Sequence, residues 1–422
     1  MAEVKEILEQ ADQRIQEHRT AELAIRVVDR DGNPVPGAEV KVRQTRHDFL
    51  FGCNIFRWWR GTDEEIAAYR ARWEALFNYA TLPFYWRRFE PERGQAIHEL
   101  MGRIIDWCIE RNVARKGHPL IWNHDASSPE WLPDDPKEIL AFCDARVAEE
   151  VARYKGRIDT WDVTNEATDC FRKESVDKLP YRGAVTKAWQ EYGKVPFAKR
   201  FFHIARQANP NATLLINDYR KDAAYERLIE QLVDDEGKPV YDAIGIQSHM
   251  HGYYWGAEKT WQSCERFAGF GKPLHFTETT LISGPPRKAT EIDWRGQAPD
   301  WNSAPAGEKR QAEHVEEFYR LLFSHPAAGA ISWFDLPDGC WLGAPGGLIR
   351  KDYSPKPAYE VLMRLVKGEW WTQASAATDR GGGCAVRAFY GDYEIGVRAN
   401  RKEAAAKFHL TKGGERSLLV EI

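Results

Sequence analysis

Two glutamates in this chain stand where a carboxylate is costly to keep. The run Ile158-Asp159-Thr160-Trp161-Asp162-Val163-Thr164-Asn165-Glu166-Ala167 begins apolar and β-rich and stops at Asn165-Glu166. A second run, Pro273-Leu274-His275-Phe276-Thr277-Glu278, ends the same way. Polar side chains at the end of a buried strand cost free energy unless they are hydrogen-bonded or used. A pair of carboxyl groups can cleave a glycosidic bond. One protonates the leaving oxygen, and the other, roughly 5–5.5 Å away, attacks the anomeric carbon. Glu166 and Glu278 are read as facing each other across a sugar ring. A single glutamate of this kind is better explained by a salt bridge; two, each among further polar strand-end residues, carry more weight.

Other strand ends add polar groups. One run gives Lys116-Gly117-His118 and then Trp122-Asn123-His124-Asp125. Others give Asn217-Asp218-Tyr219, Gln247-Ser248-His249 and Ser332-Trp333-Phe334-Asp335, the last followed by Gly339-Cys340-Trp341. A lone histidine would most often be a satisfied core residue. His118, Asn165, Gln247 and His249 together are expected to line one mouth. Lys116 is the only strand-three candidate for Schiff-base chemistry, and no His, Asp or Cys spacing of metal-ligand type is present. The seven cysteines are scattered, with no CxxC pair. No metal and no cofactor are expected, since acid, nucleophile and water suffice.

These residues need a scaffold that gathers strand ends. Strand-like runs fall at 49–54, 76–81, 113–122, 158–165, 213–218, 243–249, 274–278 and 330–335, with helical runs between them, such as 95–111, 137–154, 196–208 and 307–323. Eight alternations predict an α/β fold, a (β/α)8 TIM barrel over 48–368, whose strand ends carry chemistry. No Gly-x-Gly-x-x-Gly or Walker loop follows a strand.

The ends of the chain read differently. Residues 3–20 predict an amphipathic helix with Val4, Ile7, Leu8, Ala11 and Ile15 on one side. Leu23, Ile25 and Val27, the turn Asp29-Arg30-Asp31-Gly32-Asn33-Pro34, and Val40 and Val42 predict a β-hairpin that completes a segment 1–47. After Trp370-Trp371, short alternating runs fill 369–422. Neither end can bury a core alone, so the two are expected to pair into one small β-sandwich beside the barrel. A separate carbohydrate-binding module is the rival reading.

A net charge of -4 argues against nucleic acid as a partner. No apolar run is long enough to cross a bilayer. The N-terminus lacks an apolar leader core, so the chain is either cytoplasmic or, with a leader trimmed, extracellular or periplasmic. A polysaccharide or oligosaccharide partner and a monomer are expected. The 17 Trp residues suit stacking on sugar rings, though most must serve as core.

Several of these motifs together resemble glycoside hydrolase family ten, the retaining endo-β-1,4-xylanases. The resemblance rests on Trp161-Asp162-Val163-Thr164-Asn165-Glu166-Ala167, on Ala208-Asn209-Pro210-Asn211-Ala212 leading to Ile216-Asn217-Asp218-Tyr219, on Gly245-Ile246-Gln247-Ser248-His249, and on Thr277-Glu278. Gly117-His118 with Trp122, and Trp333 with Asp335 and Trp341, also fit. The resemblance implies that Glu166 is the general acid/base and Glu278 the nucleophile. It implies that Asn165 binds a 2-hydroxyl, His118 a 3-hydroxyl, Gln247 supports Glu166 and His249 orients Glu278. Trp122, Trp333 and Trp341 would form the floor and walls of the cleft, and Tyr219 would join the substrate-binding set. The sequence departs from the family at Leu82-Pro83-Phe84-Tyr85-Trp86-Arg87-Arg88, where the usual Asn and Lys of the glycone side are missing. It departs again at Asn123-His124-Asp125. Arg87 or Arg88 is expected either to pair with an acidic or substituted sugar or to form a solvated arginine pair.

Overall fold

The computed structural model describes residues 2–158, 160–170, 183–292, 298 and 300–422, with the side chains of residues 2–4 and 289 excluded. Asp159 of the run that ends at Glu166, and the side chain of Val4, lie outside these. The strands are β1 Thr20–Val28, β2 Glu39–His47, β3 Leu50–Asn54, β4 Tyr79–Pro83, β5 Ala114–His118, β6 Thr160–Asn165, β7 Thr213–Asp218, β8 Ala243–Met250, β9 Leu274–Leu281 and β10 Ala328–Trp333, followed by β11 Gln373–Ala377, β12 Gly383–Phe389, β13 Gly391–Ala399, β14 Lys402–Leu410 and β15 Ser417–Glu421.

Strands β3 to β10 close into an eight-stranded barrel, in sequence order and parallel throughout. Parallel strands are covered on both faces, which is why they read as near-continuous apolar runs. β9 is buried at every position. Helices fill the connections, among them His98–Glu110, Pro136–Arg153, Lys194–Ala208 and Pro305–Ser324. The expected (β/α)8 barrel is the observed one.

Some boundaries moved for local reasons. The run expected at 76–81 becomes a strand only at Tyr79, because Leu76 closes the helix Asp63–Leu76. The run at 113–122 stops at His118. Pro119 has no N–H to continue the ladder. The expected helix 3–20 is two helices, Ala2–Glu9 and Ala11–Arg19, with Arg14 reaching back to the Ile7 carbonyl. All seven cysteines are free thiols. Among the described residues no helix is long and apolar enough to cross a membrane.

The expected N-terminal hairpin is a correction. Its turn forms, with Asp29 Oδ1 accepting from the N–H of Asp31 and Asn33 at 2.9 and 2.8 Å. Yet β1 and β2 lie in different sheets. β1 sits between β12 and β15, and β2 between β11 and β13. A paired hairpin would leave its apolar face to one thin layer. Splitting the two strands lets Leu23, Ile25 and Val27 pack across a shared core with Val40, Val42, Ile395 and Val397. The accessory sandwich is therefore built from both ends of the chain, as expected.

Arg19 fastens this sandwich to the barrel. Its guanidinium donates to the carbonyls of Phe323, His325 and Ala328 at 2.7, 2.5 and 2.8 Å and lies over the Phe49 ring at 4.8 Å. Burial lowers its pKa to about 10. Arg19→Met keeps the length and deletes the donors, leaving carbonyls without partners. We expect a loss of about 2–4 kcal/mol in chemical denaturation. A change under about 0.5 kcal/mol, the size of a bland surface substitution, would remove Arg19 from this role.

Candidate active site

The barrel mouth is organised by the period of its strands and by two places where the period breaks. Successive strand residues alternate faces. Thr277 and Glu278 should therefore point oppositely. Both instead reach Asn217: the Thr277 hydroxyl donates to Oδ1 at 2.5 Å, and Asn217 Nδ2 donates to Glu278 Oε1 at 2.9 Å. The β8–β9 register slips between Ile246 and Gln247, where β9 carries an extra residue. A bulge re-aims side chains in this way. A second register shift lies on β6, between Asp162 and Thr164, just before Asn165 and Glu166. Gly245, opposite Asn217, keeps the space open, since a Cβ there would meet Asn217 Oδ1 at 2.6 Å.

The two glutamates are joined by three amides. Gln247 Nε2 donates to Glu166 Oε1 at 3.1 Å and to Asn165 Oδ1 at 3.3 Å. Asn165 Oδ1 also accepts from Asn217 Nδ2 at 2.7 Å, and Asn217 reaches Glu278. Both carboxylates thus open on the same mouth. Glu166 takes a left-handed backbone, φ 58° and ψ 36°, as the chain leaves β6. That conformation costs a non-glycine residue of order 1–2 kcal/mol, and such positions cluster at functional sites. Its N–H is held by the Asn217 carbonyl at 2.8 Å. Trp122 Nε1 donates to Oε2 at 3.2 Å.

Glu278 is more enclosed by positive groups. His249 Nε2 lies 3.1 Å from Oε2, and His118 Nε2 lies 3.8 Å from Oε1. Burial would raise the Glu278 pKa, but His118, the hydrogen bond and charge of His249, and Lys116 outweigh it and hold it below the usual carboxylate range. That keeps it ionised, as a nucleophile requires. The His249 ring is fixed from behind. The Thr280 hydroxyl donates to the Phe334 carbonyl at 2.6 Å, so it accepts from His249 Nδ1 at 2.8 Å.

Beneath the mouth, Asp162 takes Lys116 Nζ and His118 Nδ1 on one oxygen, each at 2.7 Å. Burial pushes its pKa up, yet Lys116 and His118 bring it down overall. The contact fixes the orientation of the His118 ring, with Nε2 turned to Glu278 and 3.3 Å from the Tyr85 hydroxyl. Lys116 is spent on this ion pair, which speaks against a Schiff-base role.

Trp122 stacks on His124 with ring centroids 4.1 Å apart, and Trp341 on His249 at 4.5 Å. Trp333, expected among the substrate-binding residues, is corrected in one respect: it is fully buried, with Nε1 donating to the Gly346 carbonyl at 3.1 Å, so it supports the floor from below and offers no exposed face to the cleft. Tyr219 donates its hydroxyl to Asp169, in the short helical turn Ala167–Asp169 that follows Glu166. Arg87 pairs with Glu130, a partner that neither expectation named.

Sequence reasoning passed over Asn217, Tyr85 and Asp162 as site residues. Asn217 had a signal, as a polar residue closing an apolar strand run. Asn217→Ala is expected to lower kcat/KM by on the order of 100-fold while the protein stays folded, because it loosens both Asn165 and Glu278. Steady-state kinetics with a melting curve test this; a loss under threefold would remove Asn217 from its central position.

Asp335 gives a pH signature. Burial raises its pKa to about 6, against opposing effects of Asn54, Arg57 and Arg60. The folded chain then holds a proton between pH about 4 and 6 that the unfolded chain releases. Stability therefore falls as pH rises through that window. Asp335→Asn should remove this share of the fall, leaving that of the buried Asp218 and Glu150, and be the more stable form at pH 7 by about 1–3 kcal/mol, as unfolding at pH 4 and 7 would reveal.

The sequence profile described as Glycosyl hydrolase family 10 matches residues 45–365. Anti-sigma-I factor RsgI6 of Acetivibrio thermocellus is 25% identical over 407 residues, covering 92% of this chain and 46% of its own length. Endo-1,4-beta-xylanase 2 of Arabidopsis thaliana is 22% identical, covering 91% of this chain and 33% of its own. The chain thus spans half or less of these two relatives. Endo-1,4-beta-xylanase B of Thermotoga neapolitana is 25% identical over 67% of this chain and 78% of its own. Among solved structures, xylanase 10B from Thermotoga petrophila RKU-1 in complex with xylobiose superposes with a TM-score of 0.59 at 24% identity, over 76% of this chain and 95% of that one. At that identity the likeness speaks for the fold.

Proposed function

The chain belongs to glycosyl hydrolase family 10, and from that premise we propose that it is a retaining β-glycoside hydrolase acting on xylan or a related β-1,4-linked plant polysaccharide. One observation carries the reading: the unbroken amide chain Gln247–Asn165–Asn217 between Glu166 and Glu278. Glu278 attacks the anomeric carbon and the glycosidic C–O bond breaks. Glu166 delivers its proton to the leaving oxygen, then takes a proton from the water that releases the sugar. Asn165 is placed to hold a hydroxyl of the reacting sugar, where a bond that tightens in the transition state lowers the barrier. His118 offers Nε2 to a second hydroxyl.

A mixture of neutral xylan, arabinoxylan, glucuronoxylan and aryl β-glycosides tests both activity and sugar preference. Proton NMR during the first turnovers is expected to show the β-anomer first. An α-anomer appearing first would replace direct attack by inversion, and hydrolysis untouched by loss of Glu278 would discard the assignment. A different sugar preference is the second reading. It is favoured by the segment 82–88, where Tyr85 and Arg88 line the space beside the nucleophile.

A further inference from the structure

Beside the nucleophile lies a cavity of about 340 Å³, within the range of ligand-sized clefts. It is lined by the connections that follow three adjacent strands, β3, β4 and β10. These supply Arg57, Trp59 and Arg60; Tyr85 and Arg88; and Asp335. None of the three arginines forms an ion pair with a described residue, whereas the neighbouring Arg87 does. Burial and the charges of Arg88 and Arg57 together lower the Arg60 pKa, so the guanidinium groups are close enough to repel one another. Arg60 lies over the Trp59 ring at 5.1 Å. Asp335 is the one acidic side chain in the described lining, and one of its carboxylate oxygens has no hydrogen-bond partner.

Three cations around one partly enclosed space make a positive field that favours an anion. Planar guanidinium forks suit a carboxylate, which two of them can grip side by side. The pocket also has a defined place on the substrate. The Tyr85 hydroxyl is 3.3 Å from His118 Nε2, which is itself 3.8 Å from Glu278. The cavity therefore adjoins the end of the cleft where the nucleophile holds the sugar.

We propose that this Arg57–Arg60–Arg88 pocket binds the carboxylate of a uronic acid carried by the saccharide chain, next to the sugar that Glu278 attacks. The assignment rests on the glycoside hydrolase reading above and names its substrate class. Trp59 and Tyr85 supply apolar surface for the sugar ring, and the free oxygen of Asp335 accepts from a hydroxyl. The anion relieves the mutual repulsion of the arginines, so neutral chains bind without that gain.

The test compares kcat/KM for neutral xylo-oligosaccharides, the same chains bearing a glucuronic acid, and the same chains bearing a sulfate ester. The intact protein is expected to favour the uronic chain over the neutral one by on the order of tenfold or more, with the preference shrinking as salt rises. In the variant R60Q/R88Q that ratio should fall toward one. Calorimetric titration of the inactive E278Q protein with the same uronic and neutral chains should reproduce the preference without turnover. Hydrolysis of neutral chains with no acid preference would overturn the pocket and leave the hydrolase reading standing. No hydrolysis of any chain would strike at that reading first, and equal calorimetric affinities would then overturn the pocket too. A preference for the sulfated chain over the uronic one would overturn the carboxylate assignment.

Discussion

Glu278→Ala is expected to abolish turnover, lowering kcat on natural chains by on the order of 10^4-fold or more. The reason is local. Glu278 lies with one oxygen on Asn217 and the other facing His249, and its positive neighbours hold it ionised despite burial. Among the described carboxylates only Glu166, at the far end of the same amides, is linked to that position. The variant should also show which face was attacked. Azide entering the space left by the side chain displaces an activated leaving group in one step and yields the α-glycosyl azide. Full activity in the variant, or a β-azide from it, would show that another group is the nucleophile.

Glu166→Ala should produce the second-largest loss, and its size should depend on the leaving group. Proton donation by a placed acid contributes 10²–10⁴-fold. Chains whose leaving group is a sugar hydroxyl need that proton and are expected to slow by on the order of 10³-fold. Aryl glycosides with a weakly basic leaving group need little help, so their first step should slow by about tenfold or less. The covalent intermediate then builds up, because water lacks its base. Azide needs no base and should restore turnover, giving the β-glycosyl azide. A uniform loss across all leaving groups, without azide rescue, would take the acid/base role from Glu166. The two azide products differ only in anomer, so the pair of variants separates the two roles.

Both variants test the same geometric claim, that the amide chain is rigid. Gln247 and Asn217 are buried and bonded at both ends, so each carboxylate loses little freedom when substrate arrives. The stacked pair Trp341–His249 and the Thr280 bond extend that rigidity behind Glu278. The positive pocket past Tyr85 lies outside this network, which is why its arginines can set preference between chains without setting the chemistry.

Much of this protein is legible from its residues alone. Alternating apolar strand runs and amphipathic helices specify a (β/α)8 barrel, because each strand must be covered on both faces. Glu166, Glu278, Asn165, His118, Gln247 and His249 stand out because polar residues closing apolar strands have to be paid for by a function or a partner. Pairing of the two chain ends follows from their inability to bury a core separately. Tertiary structure decided the rest. It put β1 and β2 in different sheets, buried Trp333 under the floor, and made Asn217 the link between the glutamates. It gathered Arg57, Arg60 and Arg88 from the connections after two separate strands into one cavity. The physical reason is that strand alternation predicts which face a residue takes only while register holds. The slip in β9 turns both Thr277 and Glu278 inward, and such a slip is set by neighbouring strands rather than by the local run of residues.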